Sequence, residues 1–189
     1  MVSRTRALDS ASHGEAAMSI LDWLSGAKPA PSGVAREPVA KLRKRLMAVN
    51  RPTAPFKIRE ATKKEHCDLV AEWRIVDAKW IEIFAKAGIK RVFKVRMKFD
   101  EAKGEVRAVD EEWEVEWRAG VPTLSAAASA SRGRKWEKSY EAVYAFREED
   151  LSFGKIYEYS FSTGEIKGPL IKAVHAGGWG WRGVAFGKL

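Results

Sequence analysis

One short stretch of the chain, His66-Cys67-Asp68, brings together a base, a thiol and a carboxylate, the residue types of a cysteine nucleophile and its partners. Consecutive residues of a helix point about 100° apart, so these side chains would not face one another in the helix predicted below. The other two histidines, His13 and His175, lie far away in the sequence. The sequence therefore predicts no catalytic cysteine, no metal site and no cofactor.

A second stretch, Gly178-Trp179-Gly180-Trp181-Arg182-Gly183, spells the glycine pattern G-x-G-x-x-G. That pattern binds a dinucleotide where a strand precedes it and a helix follows it. Here a predicted helix precedes it and the given chain ends six residues later, so nucleotide binding is not expected. Two interpretations stay open. Trp179 and Trp181 beside Arg182 could form a stacking surface for a base, a sugar or a partner side chain, or both rings could belong to the core, which we favour.

Carboxylates are concentrated in the run Glu112-Trp113-Glu114-Val115-Glu116-Trp117-Arg118, in which apolar and charged residues alternate. A strand turns alternate side chains to opposite faces, so the run predicts a half-buried strand with a Trp/Val/Trp face. Glu112, Glu114 and Glu116 are then expected on the solvated face. General acid–base catalysis needs two carboxylates in different environments. We therefore predict no catalytic residues, which favours a protein that is not an enzyme.

A preceding segment, Phe93–Phe99, alternates in the same way, with Lys and Arg between its apolar residues. If the two strands pair, these cations and the glutamates can lie opposite each other across the ladder. Within the second strand, Val106–Trp117, the apolar residues change phase between Ala108 and Trp113. The change predicts a β-bulge or a break near Val109–Glu112.

The segment Thr62-Lys63-Lys64-Glu65 matches the capping box that begins many helices. Apolar residues then recur at intervals of four and three, and Gly88 occupies a position where helices end. The members of this stripe are Leu69, Trp73, Val76, Trp80, Ile83 and Ala87. The pattern predicts a long amphipathic helix over Lys63–Ala87. The alternative is a strand through Ala71–Val76, because Trp-Arg-Ile-Val is rich in β-forming residues.

The predicted fold is α+β, with the long helix packed on an antiparallel sheet of about four to six strands and a short C-terminal helix. A further strand is expected within Lys155–Phe161. Trp136–Phe146 is ambiguous between a helix and a strand, and its aromatic and β-branched content favours a strand. Trp179–Phe186 is expected to be a strand or an extended tail. The C-terminal helix is expected from about Pro169 to His175, because a proline interrupts a helix that begins earlier.

The first 55 residues differ from the rest in charge, since they hold nine basic and only four acidic residues of a chain with net charge +9. Residues 1–17 are predicted to form a disordered lead, and Met18 is a second candidate start. Residues 18–55 are predicted to form a basic N-terminal arm and linker with short helices, one of them over Glu37–Asn50. Residues 56–189 are predicted to form a single α+β domain.

Clustered cations on the arm and on a later loop could contact an anionic partner. The candidate contact residues are Lys41, Arg43, Lys44, Arg45, Arg132, Arg134 and Lys135. The alternative is that the arm helix packs its apolar stripe on the domain and its charges are merely solvated. No apolar run reaches the roughly 18 residues that span a bilayer, and the single cysteine excludes an intramolecular disulfide. The predicted location is the cytoplasm, with peripheral membrane contact as an alternative.

Three functions stay open at this point. The first is a non-catalytic interaction or accessory module whose basic arm engages a partner, most simply another protein. The second is binding of a small apolar or aromatic ligand, with or without chemistry, in a pocket between helix and sheet. The residues expected to line that pocket are Trp73, Trp80, Trp113 and Trp117. The third is peripheral binding to nucleic acid or to an anionic membrane surface.

Overall fold

The computed structural model describes residues 26–86, 88–126, 144–146, 157–159, 163–184 and 189. Its strands are β1 (Ala27–Lys28), β2 (Phe56–Glu60), β3 (Leu69–Trp73), β4 (Arg91–Asp100), β5 (Glu105–Arg118), β6 (Val121–Ala126), β7 (Tyr144–Phe146), β8 (Tyr157–Tyr159) and β9 (Gly180–Gly183). Seven of them form one sheet in the order β1-β9-β5-β4-β3-β2, with β6 also paired to β5, while β7 and β8 pair separately. Every pair is antiparallel except β5 with β9.

Three α-helices accompany the sheet in the part of the chain that the structure describes: α1 (Val39–Met47), α2 (Ile81–Lys86) and α3 (Thr163–Ala176). The predicted α+β class and the short C-terminal helix are therefore confirmed. The sheet is wider than the predicted four to six strands, and it includes β1, β2, β3 and β6, which the favoured prediction did not contain. None of these helices is long and apolar enough to cross a membrane.

The long helix predicted over Lys63–Ala87 is wrong. The carboxylate of Glu65 accepts the backbone N–H of Thr62 at 2.6 Å, as a capping box requires, but the helix that follows is a single turn. His66 ends this turn in the left-handed conformation, at φ 51°. The next segment is strand β3, which lies between β2 and β4 and is hydrogen-bonded on both edges.

The misleading signal in this segment was the spacing of its apolar residues. Leu69 and Trp73 are four residues apart, and a separation of four places two side chains on one face of a strand as well as of a helix. Both are buried on the face of β3 that packs against the core. Helical spacing resumes only in α2, where Ile83 and Phe84 are buried. Pairing with β2 and β4 therefore selected a strand in a segment whose sequence is compatible with either a helix or a strand.

The bulge predicted near Val109–Glu112 is also absent. Strands β4 and β5 pair without interruption from Arg91 opposite Glu114 to Asp100 opposite Glu105. Because the register continues through the change of apolar phase, the polar residues in the middle of β5 face the core. Glu112, expected on the solvated face, is only 5% exposed.

Helix α1 lies within the helix predicted over Glu37–Asn50, and its apolar stripe packs against α3 and β2. Leu42 and Leu46 are fully buried in the same core as the sheet residues. Both α1 and β1 come from residues 18–55, so this segment contributes to the sheet and to the core. The division into an arm and a domain of 56–189 stays a prediction, and residues 1–17 lie outside the described ranges.

Helix α3 continues through Pro169, where the sequence predicted its start. Proline lacks the N–H that would bond the carbonyl of Glu165, and it usually clashes with the Cβ of the preceding residue. That preceding residue is Gly168, which has no Cβ. Both lie on the exposed side of the helix, while Leu170 and Val174 are fully buried.

The glycine pattern near the C-terminus serves close packing. Trp179 and Trp181 are 1% and 4% exposed, as the core interpretation predicts. The indole N–H of Trp179 donates to the carbonyl of Glu37 at 2.8 Å. Gly178, at φ +72°, allows the backbone of Ala35 to approach closely, because a Cβ at position 178 would lie 2.6 Å from the carbonyl oxygen of Ala35.

This packing makes Gly178 the sensitive glycine of the pattern. We expect Gly178→Ala to lower the free energy of unfolding by about 3 kcal/mol or more, because it combines a left-handed side chain with a backbone clash. The matched control is Gly88→Ala, which has φ +60° but nothing within 4 Å of the new Cβ, and should lose only about 1 kcal/mol. Urea unfolding measures both, and equal losses would show that the contact with Ala35 is unimportant.

Candidate functional site

Two carboxylates lie inside the protein at the centre of β5. Asp110 and Glu112 are each 5% exposed, and among the side chains whose burial the structure describes they are the only buried charged ones. They are two residues apart on one strand, so they share a face with their Cα atoms about 7 Å apart. We call these two residues the acidic pair. Buried carboxylates are rare unless a partner compensates them, so their surroundings decide what they do.

Each member of the acidic pair contacts a cation. The ammonium of Lys167, on the first turns of α3, contacts the carboxylate of Asp110. The guanidinium of Arg91, at the start of β4, lies 2.9 Å from the carboxylate of Glu112. Both carboxylates take part in further interactions besides these. Each buried carboxylate is thus paired with a cation of this chain.

The cations of the site reach solvent although the carboxylates do not. The side chain of Lys167 is 20% exposed and that of Arg91 is 43% exposed, against 5% and 2% for the side chains of Asp110 and Glu112. Each carboxylate is therefore more completely buried than the cation that it contacts.

Aromatic side chains adjoin the acidic pair across the sheet. Phe93 on β4 is directly opposite Glu112, and Trp73 on β3 lies one residue beyond the Glu72–Lys94 pair, next to Phe93. The ring of Trp73 packs edge-on against Phe84 of α2, with the centroids 6.2 Å apart. The acidic pair and aromatic side chains of β3, β4 and α2 are therefore neighbours on the core-facing side of the sheet.

The tryptophans predicted to line a pocket lie in two groups. Trp73 and Trp80 both pack on Phe84, and Trp80 is fully buried. Trp113 and Trp117 have the opposite phase on β5 from the acidic pair. The indole N–H of Trp117 donates to the carbonyl of Ile89 at 2.7 Å. The ammonium of Lys94 lies 4.4 Å from the centroid of the Trp113 ring.

The other residues predicted to stack on a ligand are buried in the core or held in an ion pair. The rings of Trp179 and Trp181 are buried and belong to the core. Arg182 forms two hydrogen bonds with the carboxylate of Glu105, both 2.7 Å long. The pKa of Glu105 is lowered chiefly by these bonds. This arrangement leaves the two Trp faces unavailable for stacking on an external base or sugar.

Three of the four predicted contact residues on α1 are paired with carboxylates. Lys41 and Arg45 both contact Glu37, at 3.3 and 2.6 Å. Arg43 contacts Asp68 at 3.1 Å and also Glu60, and its guanidinium lies 5.1 Å from the centroid of Phe99. Lys44 is exposed. The remaining candidates, Arg132, Arg134 and Lys135, lie outside the described residues.

The His66-Cys67-Asp68 stretch has a structural role. Asp68 accepts the backbone N–H of Phe99 at 2.9 Å as well as the Arg43 bond. Burial raises the pKa of the Cys67 thiol, which disfavours the reactive thiolate. Across the described ranges, no three His, Cys, Asp or Glu side chains converge in the manner of metal ligands.

The outer face of the sheet carries the cross-strand charge pairing that the sequence predicted. Arg96 on β4 contacts Glu111 on β5 at 2.7 Å. Glu72 on β3 lies between Arg59 and Lys94, at 3.0 and 3.8 Å. The glutamate that takes part is Glu111 and not Glu112, since the unbroken register reverses the faces of β5.

The acidic pair escaped prediction although the sequence contains its signal. Val106 and Ala108 fix the inward phase of β5, and in an uninterrupted strand Asp110 and Glu112 continue that phase. The bulge predicted near Val109–Glu112 would have placed both residues on the solvated face. Arg91 and Lys167 had no local signal, because tertiary structure alone brings them to the pair.

Comparisons with family models, with curated proteins and with solved structures give no match to this chain. The functional argument therefore depends on the residues of this protein and on their geometry.

The outer-face network makes a prediction about acid stability. The hydrogen bond from Arg59, more than any other contact, lowers the pKa of Glu65 to about 2 from its ordinary 4.5. A carboxyl whose folded pKa is depressed stabilises the fold above its unfolded pKa and loses that contribution as pH falls towards the folded value. We expect the free energy of unfolding to fall between about pH 5 and pH 2, and to fall less steeply in Glu65→Gln.

Urea unfolding at a series of pH values measures this slope. Glu114→Gln is the matched control, because it removes an exposed glutamate from the same sheet. Equal slopes in Glu65→Gln and the unmodified protein would contradict the prediction.

Proposed function

We propose that the protein binds a small molecule between α3 and the sheet, with the acidic pair in contact with the ligand and Trp73 and Phe93 beside it. This is the second of the three functions that the sequence left open, with two carboxylates replacing Trp113 and Trp117 in the wall of the site. The observation that carries the proposal is the burial of Asp110 and Glu112 in contact with two partly exposed cations.

Stability alone does not account for such a site. The desolvation of a buried ion pair cancels much of its Coulomb attraction, and apolar residues of similar volume often stabilise a fold as well or better. Ionisable groups held in low-dielectric surroundings are instead typical of sites that recognise or transform a ligand. The aromatic side chains beside the charges supply apolar contact area for the body of such a ligand.

The two cations that contact the acidic pair could move aside and expose the carboxylates. Lys167 has a flexible four-carbon stem, and the side chain of Arg91 extends from Glu112 to solvent. Rotation of either side chain would expose a carboxylate without unfolding of the sheet. Binding can therefore begin with a side-chain exchange and needs no domain movement.

The other two functions stay predictions with weaker support. An interaction module built on the basic arm has less support because Lys41, Arg43 and Arg45 of α1 contact carboxylates of this chain, although Lys41 and Lys44 are exposed. Binding to nucleic acid or an anionic membrane meets the same obstacle. No reaction is proposed, and whether the protein is an enzyme stays an open prediction that leans towards no. The cytoplasmic location also stays a prediction.

A stability experiment tests whether the acidic pair is kept for folding. We expect Lys167→Met to cost about 3 kcal/mol, because it removes the cation from buried Asp110. Adding Asp110→Asn in the same chain should restore stability to within about 1 kcal/mol of the unmodified protein. Lys172→Met, an exposed lysine of the same helix, is the control and should change little. A double variant as unstable as Lys167→Met would mean that the fold requires the charge, against the proposal.

A binding experiment tests the proposal directly with three probes of similar size: 2-phenylethylamine, 2-phenylethanol and 3-phenylpropionate. At about ten times its dissociation constant, a bound probe stabilises the native state by about 1.4 kcal/mol, which raises the melting temperature by about 3 °C or more. We expect at least one probe to do so in the unmodified protein and to lose the effect in Asp110→Asn/Glu112→Gln.

Glu114→Gln/Glu116→Gln is the matched control for this experiment, because it removes two exposed carboxylates of the same strand. Binding should survive in this control. The proposal would be wrong if no probe shifted the melting temperature, or if the shift persisted without the acidic pair.

A further inference from the structure

We infer that the side chain of Asn50 closes the free edge of β2, and that this closure keeps the chain from pairing edge to edge with a second copy of itself. Asn50 lies on the connection between α1 and β2. Its amide takes the place that a neighbouring strand would otherwise occupy. The inference concerns the outermost strand of the sheet and does not depend on the proposed function.

Strand β2 is the last strand on its side of the sheet, and in the described part of the chain it pairs with β3 alone. An edge strand presents N–H and C=O groups that can pair with another chain. β2 has five residues, the length of an ordinary strand, and its side chains Phe56 and Ile58 are buried in the core. The strand is therefore firmly held in the sheet, with one edge at which a second strand could add.

The bonds between β2 and β3 determine which groups of β2 face that free edge. The backbone N–H of Arg74 donates to the carbonyl of Pro55, and the N–H of Ala61 donates to the carbonyl of Asp68. Residues that bond one neighbour alternate along an antiparallel strand. The odd-numbered residues from 55 to 61 therefore bond β3, and the N–H and C=O of Ile58 point to the free edge.

Both of these groups of Ile58 are bound by one side chain. The amide nitrogen of Asn50 donates to the carbonyl of Ile58 at 2.8 Å, and the N–H of Ile58 donates to the amide oxygen of Asn50 at 2.7 Å. A side-chain amide carries the same donor and acceptor as a peptide group, so Asn50 reproduces the pair of bonds that an added antiparallel strand would make. Another strand can bond Ile58 only after Asn50 has left it.

The helix before Asn50 holds this side chain against β2. The backbone N–H of Asn50 donates to the carbonyl of Met47, the last residue of α1, at 3.2 Å. Helix α1 is anchored by Leu42 and Leu46, which are fully buried. The core therefore fixes the position of Asn50, and the closure of the edge is part of the fold.

Two further carbonyls on the same edge accept bonds from this chain. The guanidinium of Arg74 donates through Nε to the carbonyl of Phe56, and the guanidinium of Arg59 donates to the carbonyl of Glu60, both at 3.2 Å. Phe56 and Glu60 have the same phase as Ile58, so their carbonyls also face the free edge. The edge is therefore occupied along β2 and not only at its central residue.

The other outer strands of the described sheet have different protection. Strand β1 has only two residues, and β6 contains Pro122, which has no N–H to donate to a ladder. β2 is longer than β1 and has no proline. A side chain that occupies its backbone groups is therefore the protection that remains for this edge.

The charges of β2 set the expected salt dependence once the edge is open. Lys57 and Arg59 share the outer face of the strand, so antiparallel pairing of two copies about Ile58 would bring Lys57 of one copy beside Arg59 of the other. Salt screens this repulsion. Association through the opened edge should therefore strengthen with added salt, whereas association through opposite charges would weaken.

The experiment measures the molar mass of the full chain by light scattering over about a hundredfold range of protein concentration. Asn50→Ala removes both bonds to Ile58, and we expect it to self-associate at least about tenfold more tightly than the unmodified protein. Adding Glu60→Pro should reverse this, because proline at this exposed edge position removes a donor from the free edge and leaves the bonds to β3 intact.

Two controls separate edge pairing from a loss of stability. Glu60→Pro alone should have the molar mass of the unmodified protein. Ile166→Val removes a methyl group from a fully buried residue of α3, which destabilises the fold without touching β2, and it should not associate more than the unmodified protein. If Asn50 only fixes the α1–β2 connection, Asn50→Ala loses stability and gains no association.

A second measurement follows hydrogen exchange at the N–H of Ile58 by NMR and begins with the unmodified protein. We expect this N–H to exchange at least about a hundredfold more slowly than in an unstructured chain. In Asn50→Ala the exchange should be faster in dilute solution and slow again as the concentration rises.

Three results would overturn the inference. One is rapid exchange of the Ile58 N–H in the unmodified protein, which needs no variant to fold. Another is a molar mass of Asn50→Ala equal to that of the unmodified protein at every concentration. The third is association that persists in Asn50→Ala/Glu60→Pro or that appears equally in Ile166→Val.

Discussion

The unbroken register of β4 and β5 is the constraint on which the rest of the structure depends. Their backbones pair continuously from Arg91 and Glu114 to the turn that joins the strands. Because side chains along a strand alternate strictly between its two faces, the register fixes the face on which every residue of this stretch lies. The positions of the acidic pair, of the outer charge network and of Trp113 all follow from that register.

The same chemical groups have different consequences on the two faces of the sheet. On the outer face, Arg96 and Glu111 form a pair whose side chains are 18% and 19% exposed. On the inner face, Asp110 and Glu112 are removed from water and depend on Lys167 and on Arg91. Loss of one inner partner leaves a charge in an apolar interior. This asymmetry is why the inner face and not the more numerous outer charges marks the candidate site.

Sequence reasoning recovered the elements whose signal is local and failed where a long-range contact decides. The α+β class, the strands at Phe93–Phe99 and Val106–Trp117, and the short C-terminal helix follow from period and composition. The helix over Lys63–Ala87 failed because its spacing of four fits a strand equally well, and pairing with β2 and β4 selected the strand. Arg91 and Lys167 join the site through tertiary contacts that no local pattern encodes.

The phase change within β5 also explains why a site arises where it does. Val106 and Ala108 face the inner core, whereas Val115 is buried with the opposite phase, alongside Trp113 and Trp117. The apolar surface thus passes from one face of β5 to the other along its length. Polar residues on the inner face are placed where this change occurs, and β5 is buried on both faces there, since Val109 is only 4% exposed. The inner-face positions of β5 at this change are held by the acidic pair.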